Sequence, residues 1–182
     1  FSFFPSKNMA VGGEGGMITT TRLDLAERLQ SWVDHGRSKD SSIEALTSNL
    51  RMSEIQAAIG RVQLRHLDKK NSRRREIVSL YKKNLAQDCI LPENVNGESV
   101  YHQIVLKHEK RDEIQKELTK NGVGSAIYYE KPIHLQPIYQ DYGYNLPNSE
   151  KFSKQIISLP SYPALTNEQV GFISECVNKI IT

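Results

Sequence analysis

A β-prone aromatic run, Phe1-Ser2-Phe3-Phe4, is stopped by Pro5 and followed by four closely spaced glycines, Gly12, Gly13, Gly15 and Gly16. Proline cannot donate to a sheet ladder, so a strand ends there. The glycines allow tight backbone turns, and Met17 to Thr20 then reads as a second strand. A helix is expected behind Thr21, whose hydroxyl can cap it with Asp24 three residues on. It presents Leu25, Leu29, Trp32 and Val33 on one face and ends at His35-Gly36. Strand, glycine turn, strand and helix in this order predict an α/β fold.

Lys7 lies in this pattern just past a strand end and before the glycine turn. A lysine so placed, with Ser2 five residues upstream, suits Schiff-base chemistry in which hydroxyl and backbone N–H groups receive a phosphate. The glycines do not fit a dinucleotide fingerprint, which would run directly into a helix, and are read as a structural turn.

Residues 37–50 are mostly polar and aperiodic, which predicts a surface loop of a length that is often functional. Ser53 and Gln56 form a capping box. Apolar residues then recur at helical spacing from Ile55 to Leu85, predicting one very long helix or two joined near Asp68 to Ser72. After Pro92 the pattern changes to a strand over 99–106, a helix over 110–122 closed by Gly122, and a strand over 123–129. An aromatic, proline-containing loop over 130–150 follows, then helices over 149–157 and 167–181, the last behind Thr166 with Gln169. This order predicts a small α+β domain.

Charge and composition narrow the function classes. The 182 residues are 38% apolar and 25% charged with a net charge of +3, the profile of a globular protein without the concentrated basic patch that nucleic acid or an anionic membrane would need. The run Lys69, Lys70, Arg73, Arg74, Arg75 is flanked by Asp68 and Glu76 and reads as a solvated helix face. Cys89 and Cys176 are far apart, and the five histidines show no metal-ligand spacing, so neither a disulfide framework nor a metal site is expected. No apolar run is long enough for a membrane span and no signal peptide is visible, so a cytoplasmic setting is expected.

Four blocks in order, FSFFPSKNMAVGGEGGMITT, His35-Gly36, SNLRMSEIQAAIGRVQL and YYEKPIHLQPIY, resemble the DegT/DnrJ/EryC1/StrS family of pyridoxal-phosphate-dependent sugar aminotransferases. The resemblance implies that Lys7 binds pyridoxal 5'-phosphate as a Schiff base and that Ser2 contacts its phosphate. Asn49 would reach the cofactor phosphate of a partner chain in a homodimer, and Tyr129 and His134 would line the substrate end of the pocket. It further implies transfer of an amino group, with glutamate as donor, to a keto nucleotide-sugar in polysaccharide or other sugar biosynthesis. Sugar dehydratases of the same family carry histidine in place of the lysine, so Lys7 argues against that activity.

In fold terms the resemblance implies the C-terminal half of an aspartate-aminotransferase-like, fold type I transferase. Residues 1–52 would be a remnant of the large cofactor-binding domain, 53–91 a long connecting helix region, and 92–182 the small α+β domain. The half expected to be missing carries the helix N-terminus that holds the phosphate, the aromatic stacked on the ring and the acid paired with its nitrogen. A non-catalytic fragment or interaction module is the alternative expectation.

Overall fold

The glycine turn at the start of the chain is shaped by a helix that lies against it. In the computed structural model, which describes residues 1–87, 89, 91 and 96–182, helix α2 (Glu54–Arg65) begins at the capping box formed by Ser53 and Gln56. The Gln56 side chain also donates to the Glu14 carbonyl oxygen at 2.8 Å, so the cap reaches across to the turn. Val11 is fully buried. A Cβ on Gly60 of α2 would stand 3.2 Å from the Val11 side chain, and one on Gly15 would stand 2.7 Å from it. Glycine is therefore required at 15 by close packing. Gln56→Ala removes one cap and one cross-tie, and a loss of about 1–2 kcal/mol is expected in urea unfolding.

The chain divides into two compact units, Phe1–Asp68 and Lys69–Thr182. In the first, the two expected strands shrink to one antiparallel bridge between Ser2 and Gly16. Phe3 N donates to Gly15 O at 2.8 Å, and Phe1 and Met17 exchange backbone bonds. A neighbouring strand is needed to extend such a pair, and none of the described residues supplies one. Helix α1 spans Leu23–Val33 and is capped by Arg22 rather than Thr21, without a side-chain cap bond. The Arg22 guanidinium instead pairs with Asp24 at 2.6 Å and consumes the acid that Thr21 was expected to share.

Helix α3 (Leu67–Asn84) follows α2 after a break at His66. The expected junction near 68–72 is thus moved to the preceding residue pair, where His66 N donates back to Gln63 O. The expected boundary at Pro92 lies outside the described residues.

The second unit is built on a two-stranded antiparallel sheet, β1 (Ile104–Lys107) with β2 (Ile156–Leu159), in the register Ile104 opposite Leu159. Helices α4 (Arg111–Lys120) and α6 (Asn167–Ile181) pack with it. Ile77, Val78 and Tyr81 of α3 join Leu106, Ile114, Leu118, Ile157, Val170, Ile173 and Val177 in a single core. The period of three to four in α6 and the alternation in β1 are what place these residues inside. Thr166 and Gln169 form the expected capping box.

Three expectations fail in this unit. Strand 99–106 contracts to β1, because Tyr101 takes a positive φ of +40° and breaks the extended run. Strand 123–129 is reduced to one bridge, Ala126 with Ser158. Helix 149–157 is instead α5 (Pro147–Ser153) followed directly by β2, with Ile157 and Leu159 buried in the core. The aromatic stretch 130–150 holds two 3₁₀ turns, Ile133–Leu135 and Pro137–Tyr142, before α5.

The basic run on α3 is only partly a solvated face: Lys69 is exposed, while Arg73 and Arg74 turn into the protein. Arg74 is buried and its Nη1 donates to the Ser161 carbonyl at 2.8 Å and the Ser161 hydroxyl at 3.2 Å. Arg73 donates to Leu165 O and Asn167 Oδ1. Together they tie α3 to the segment leading into α6, as does the Tyr81 hydroxyl on Pro160 O. Arg74→Met leaves Ser161 O without its charged donor and is expected to destabilise this unit by about 2–3 kcal/mol, read by urea unfolding.

Candidate active site

Two groups of the expected site residues emerge, one in each unit. In the first unit, Lys7 sits at the end of a tight turn closed by its own N–H on Phe4 O at 2.9 Å, and is half-buried. Ser2 opens the same turn and its hydroxyl oxygen accepts from Phe4 N at 3.4 Å. Amine and hydroxyl thus belong to one short loop whose far side is anchored on α2 through Val11 and Gln56. Rigid anchoring of this kind is what a positioned amine needs.

Asn49 belongs to the same unit on a separate segment. The loop after α1 turns at His35 and Gly36, both with positive φ, and folds back along the helix end. Asp34 and Asn49 form a β-bridge, Glu44 N donates to Gly36 O, and Leu50 N donates to Val33 O. The Asn49 carbonyl oxygen of the side chain accepts from Arg51 N at 3.2 Å, which leaves the amide N–H₂ pair as its donors. Arg51 in turn makes an ion pair with Asp34. Asn49 is exposed. At the loop tip, hydrogen bonds from the Ser38 and Ser42 hydroxyls hold the Asp40 carboxyl down to about 2. The open cleft beside this tip, about 870 Å³ with Trp32, Arg28 and Lys39 in its wall, contains none of the expected site residues.

Tyr129 and His134 lie together in the second unit, in the wall of a cavity of about 680 Å³ that also includes Lys131, Tyr139, Tyr144 and Phe152. His134 is buried in the first 3₁₀ turn, and its Nε2 lies 3.2 Å from Oε1 of Glu150 on α5. Among the described residues no cluster of three metal-ligating side chains occurs, and no helix is long and apolar enough to cross a membrane.

Sequence reasoning missed Glu150 and Arg51. Glu150 is separated from His134 by sixteen positions and carries no local signal. The Asn-x-Arg spacing at 49–51 is visible, but its meaning as a side-chain turn plus an ion pair to Asp34 appears only when the loop folds back.

The first unit thus holds an amine and a hydroxyl in one loop, and on a separate segment an amide whose side-chain oxygen is engaged by Arg51 N.

Comparison with known proteins places this architecture. The profile of the DegT/DnrJ/EryC1/StrS aminotransferase family matches residues 1–178, and the chain belongs to that family. It is 37% identical over 96% of its length to a pleiotropic regulatory protein of Geobacillus stearothermophilus, covering 49% of that protein. It is 34% identical over its full length to UDP-N-acetyl-3-dehydro-alpha-D-glucosamine 3-aminotransferase of Acidithiobacillus ferrooxidans, covering 50% of it. In structure it is similar to DesV of S. venezuelae, solved in complex with a ketimine intermediate, at a TM-score of 0.93 and 34% identity over 98% of this chain and 50% of that one. The chain therefore spans about half the length of the curated relatives it matches, and its helices and small sheet are those of a fold type I fragment.

Proposed function

We propose that this chain is the lysine-bearing half of a pyridoxal-phosphate-dependent aminotransferase that moves an amino group from glutamate to a keto carbon of a nucleotide-linked sugar. The observation that carries this reading is the loop closed by the Ser2–Gly16 bridge, which holds both Lys7 and Ser2 and is tied to α2 through the Gln56 bond to Glu14. Bound pyridoxal phosphate would supply the electron sink that makes a proton beside the amine carbon removable.

Within that reading each residue has one task. Lys7 Nζ would hold the cofactor at its carbonyl carbon and, as a free amine, would take and return the proton at the carbon that loses or gains the amine. The Ser2 hydroxyl and the Asn49 amide donate to the phosphate, Asn49 to that of a second copy. A homodimer follows from that role and is supported by the exposed apolar side chains Ile43, Leu46 and Leu50 that flank Asn49 in sequence. Tyr129 and His134 bound the substrate end. Residues 1–52 serve as the cofactor-domain portion, 53–91 as the connecting helices and 92–182 as the small domain. A cytoplasmic location is supported by Cys89 and Cys176, which form no disulfide. The presence of Lys7 disfavours the dehydratase activity.

The test is to incubate the purified chain with pyridoxal phosphate, reduce with borohydride and map the modified peptide by mass. A saturable adduct on the peptide holding Lys7 is expected. Adducts spread evenly over the exposed lysines would overturn the reading.

A further inference from the structure

Gln56 does two things with one amide. Its side-chain oxygen accepts from Ser53 N at 3.2 Å and from the Ser53 hydroxyl at 3.1 Å, which closes the capping box of α2. Its Nε2 donates to the Glu14 carbonyl oxygen at 2.8 Å, 42 positions away on the loop that carries Ser2 and Lys7. A capping box accepts either glutamate or glutamine at this position, and a helix N-terminus favours the acid. Only the amide can also donate. Glutamine here therefore answers to the loop rather than to the helix.

The loop is seated on α2 by contact as well. A Cβ on Gly13 would stand 3.1 Å from that same Nε2, one on Gly12 3.5 Å from Ile59 Cδ1, and one on Gly60 3.2 Å from Val11 and 3.5 Å from Met9. Apolar contact of this kind is non-directional, so it fixes how near the loop lies to the helix and leaves it free to slide. A hydrogen bond has a preferred length and angle and sets the register. Lys7 shares the loop: its N–H closes on Phe4 O at 2.9 Å, and Phe3 N donates at 2.8 Å to the carbonyl of Gly15, the residue after the tied Glu14. A shift of Glu14 along α2 is passed through that bond to the segment ending at Lys7.

We infer that Gln56 is a positioning residue for the Lys7 amine, acting through the Glu14 carbonyl and the bond from Phe3 to Gly15. That role rests on the proposed use of Lys7 to hold the cofactor, and goes beyond it by naming the residue outside the loop that keeps the amine in register. Helix capping and amine placement then depend on different halves of one side chain.

Two variants separate the halves. Gln56→Glu keeps an acceptor for Ser53 N and loses the donor to Glu14 O, whereas Ser53→Ala removes the hydroxyl from the cap and leaves that donor in place. Both are read on the purified chain by amide hydrogen exchange in NMR and by labelling with pyridoxal phosphate, borohydride and peptide mass. In Gln56→Glu the Phe3 and Lys7 amides should exchange about fivefold faster, the size expected for one lost hydrogen bond. Ala57, whose N–H opens the ladder of α2 on Ser53 O, should keep its rate. The pyridoxal phosphate needed to half-label Lys7 should also rise about fivefold. In Ser53→Ala the Ala57 amide should exchange faster, with Phe3, Lys7 and the labelling unchanged.

Unchanged Phe3 and Lys7 exchange in Gln56→Glu, or a loss of labelling as large in Ser53→Ala as in Gln56→Glu, overturns the inference. So does equal labelling of Lys7 in Gln56→Glu and the unaltered chain, an outcome that leaves the aminotransferase reading standing. Faster exchange in Gln56→Glu with no saturable label on Lys7 in any of the three chains does the reverse: the tie to the loop is upheld and the aminotransferase reading falls.

Discussion

Lys7→Ala is expected to abolish the saturable, borohydride-stable pyridoxal adduct of this chain outright, and Lys7→Arg to do the same. The sequence carries 14 lysines, so a carbonyl reagent in excess will label several amines weakly. What distinguishes Lys7 is placement: its backbone is closed on Phe4 O inside a loop that the Ser2–Gly16 bridge closes and that Gln56 of α2 holds at Glu14. On the proposed reading an adduct there would gain contacts to the phosphate that a surface lysine lacks, and it should saturate first. Arginine keeps the charge but cannot condense with the carbonyl, so it separates covalent chemistry from electrostatic attraction. In amino transfer by the whole enzyme, either variant should lose on the order of 10⁴-fold or more in kcat, the scale seen when a nucleophile that also handles the proton is removed. Equal adduct occupancy in Lys7→Ala and the unaltered chain would remove Lys7 from the site.

Much of this was legible in the sequence because it is local. Both capping boxes, Ser53 with Gln56 and Thr166 with Gln169, need only a four-residue window, and both form. The lysine turn was legible for the same reason: Pro5 and the glycines punctuate it within a few residues. What escaped was set by distant partners. Strand β2 has no glycine or proline between it and α5, so nothing local marks where the helix stops. The pairing with β1, some fifty residues earlier, decides it. Arg74 looks like a surface cation until the Ser161 carbonyl, 87 positions away, arrives to accept from it. The strands at 1–4 and 17–20 failed for the opposite reason. Their sequence has strand character, but a hairpin alone is marginal without further strands to pair with.

The second large effect is expected at Gly36, a residue remote from any reacting atom. Gly36 is buried at φ +72°, and a Cβ added there would lie 2.1 Å from the Ala45 carbonyl oxygen and 2.8 Å from its carbon. Those are backbone atoms, so no rotamer change relieves the overlap. Gly36→Ala combines a left-handed conformation that L-residues resist with an overpacked contact, about 2–5 kcal/mol together. The segment that must yield is the one bonded through Glu44 N to Gly36 O, and it carries Asn49 on its bridge to Asp34. Trp32 is the sole tryptophan and its carbonyl accepts from Thr47 in the same loop, so its fluorescence reports this unit alone. The urea midpoint read by Trp32 should fall sharply in Gly36→Ala while that of the tyrosine-rich second unit stays in place. If the Asn49 amide serves a phosphate, the variant should also weaken pyridoxal phosphate capture by Lys7 without touching the lysine. An unchanged Trp32 midpoint would mean that the loop yields freely around Ala45, and a loop so compliant could not hold Asn49 in register for that role.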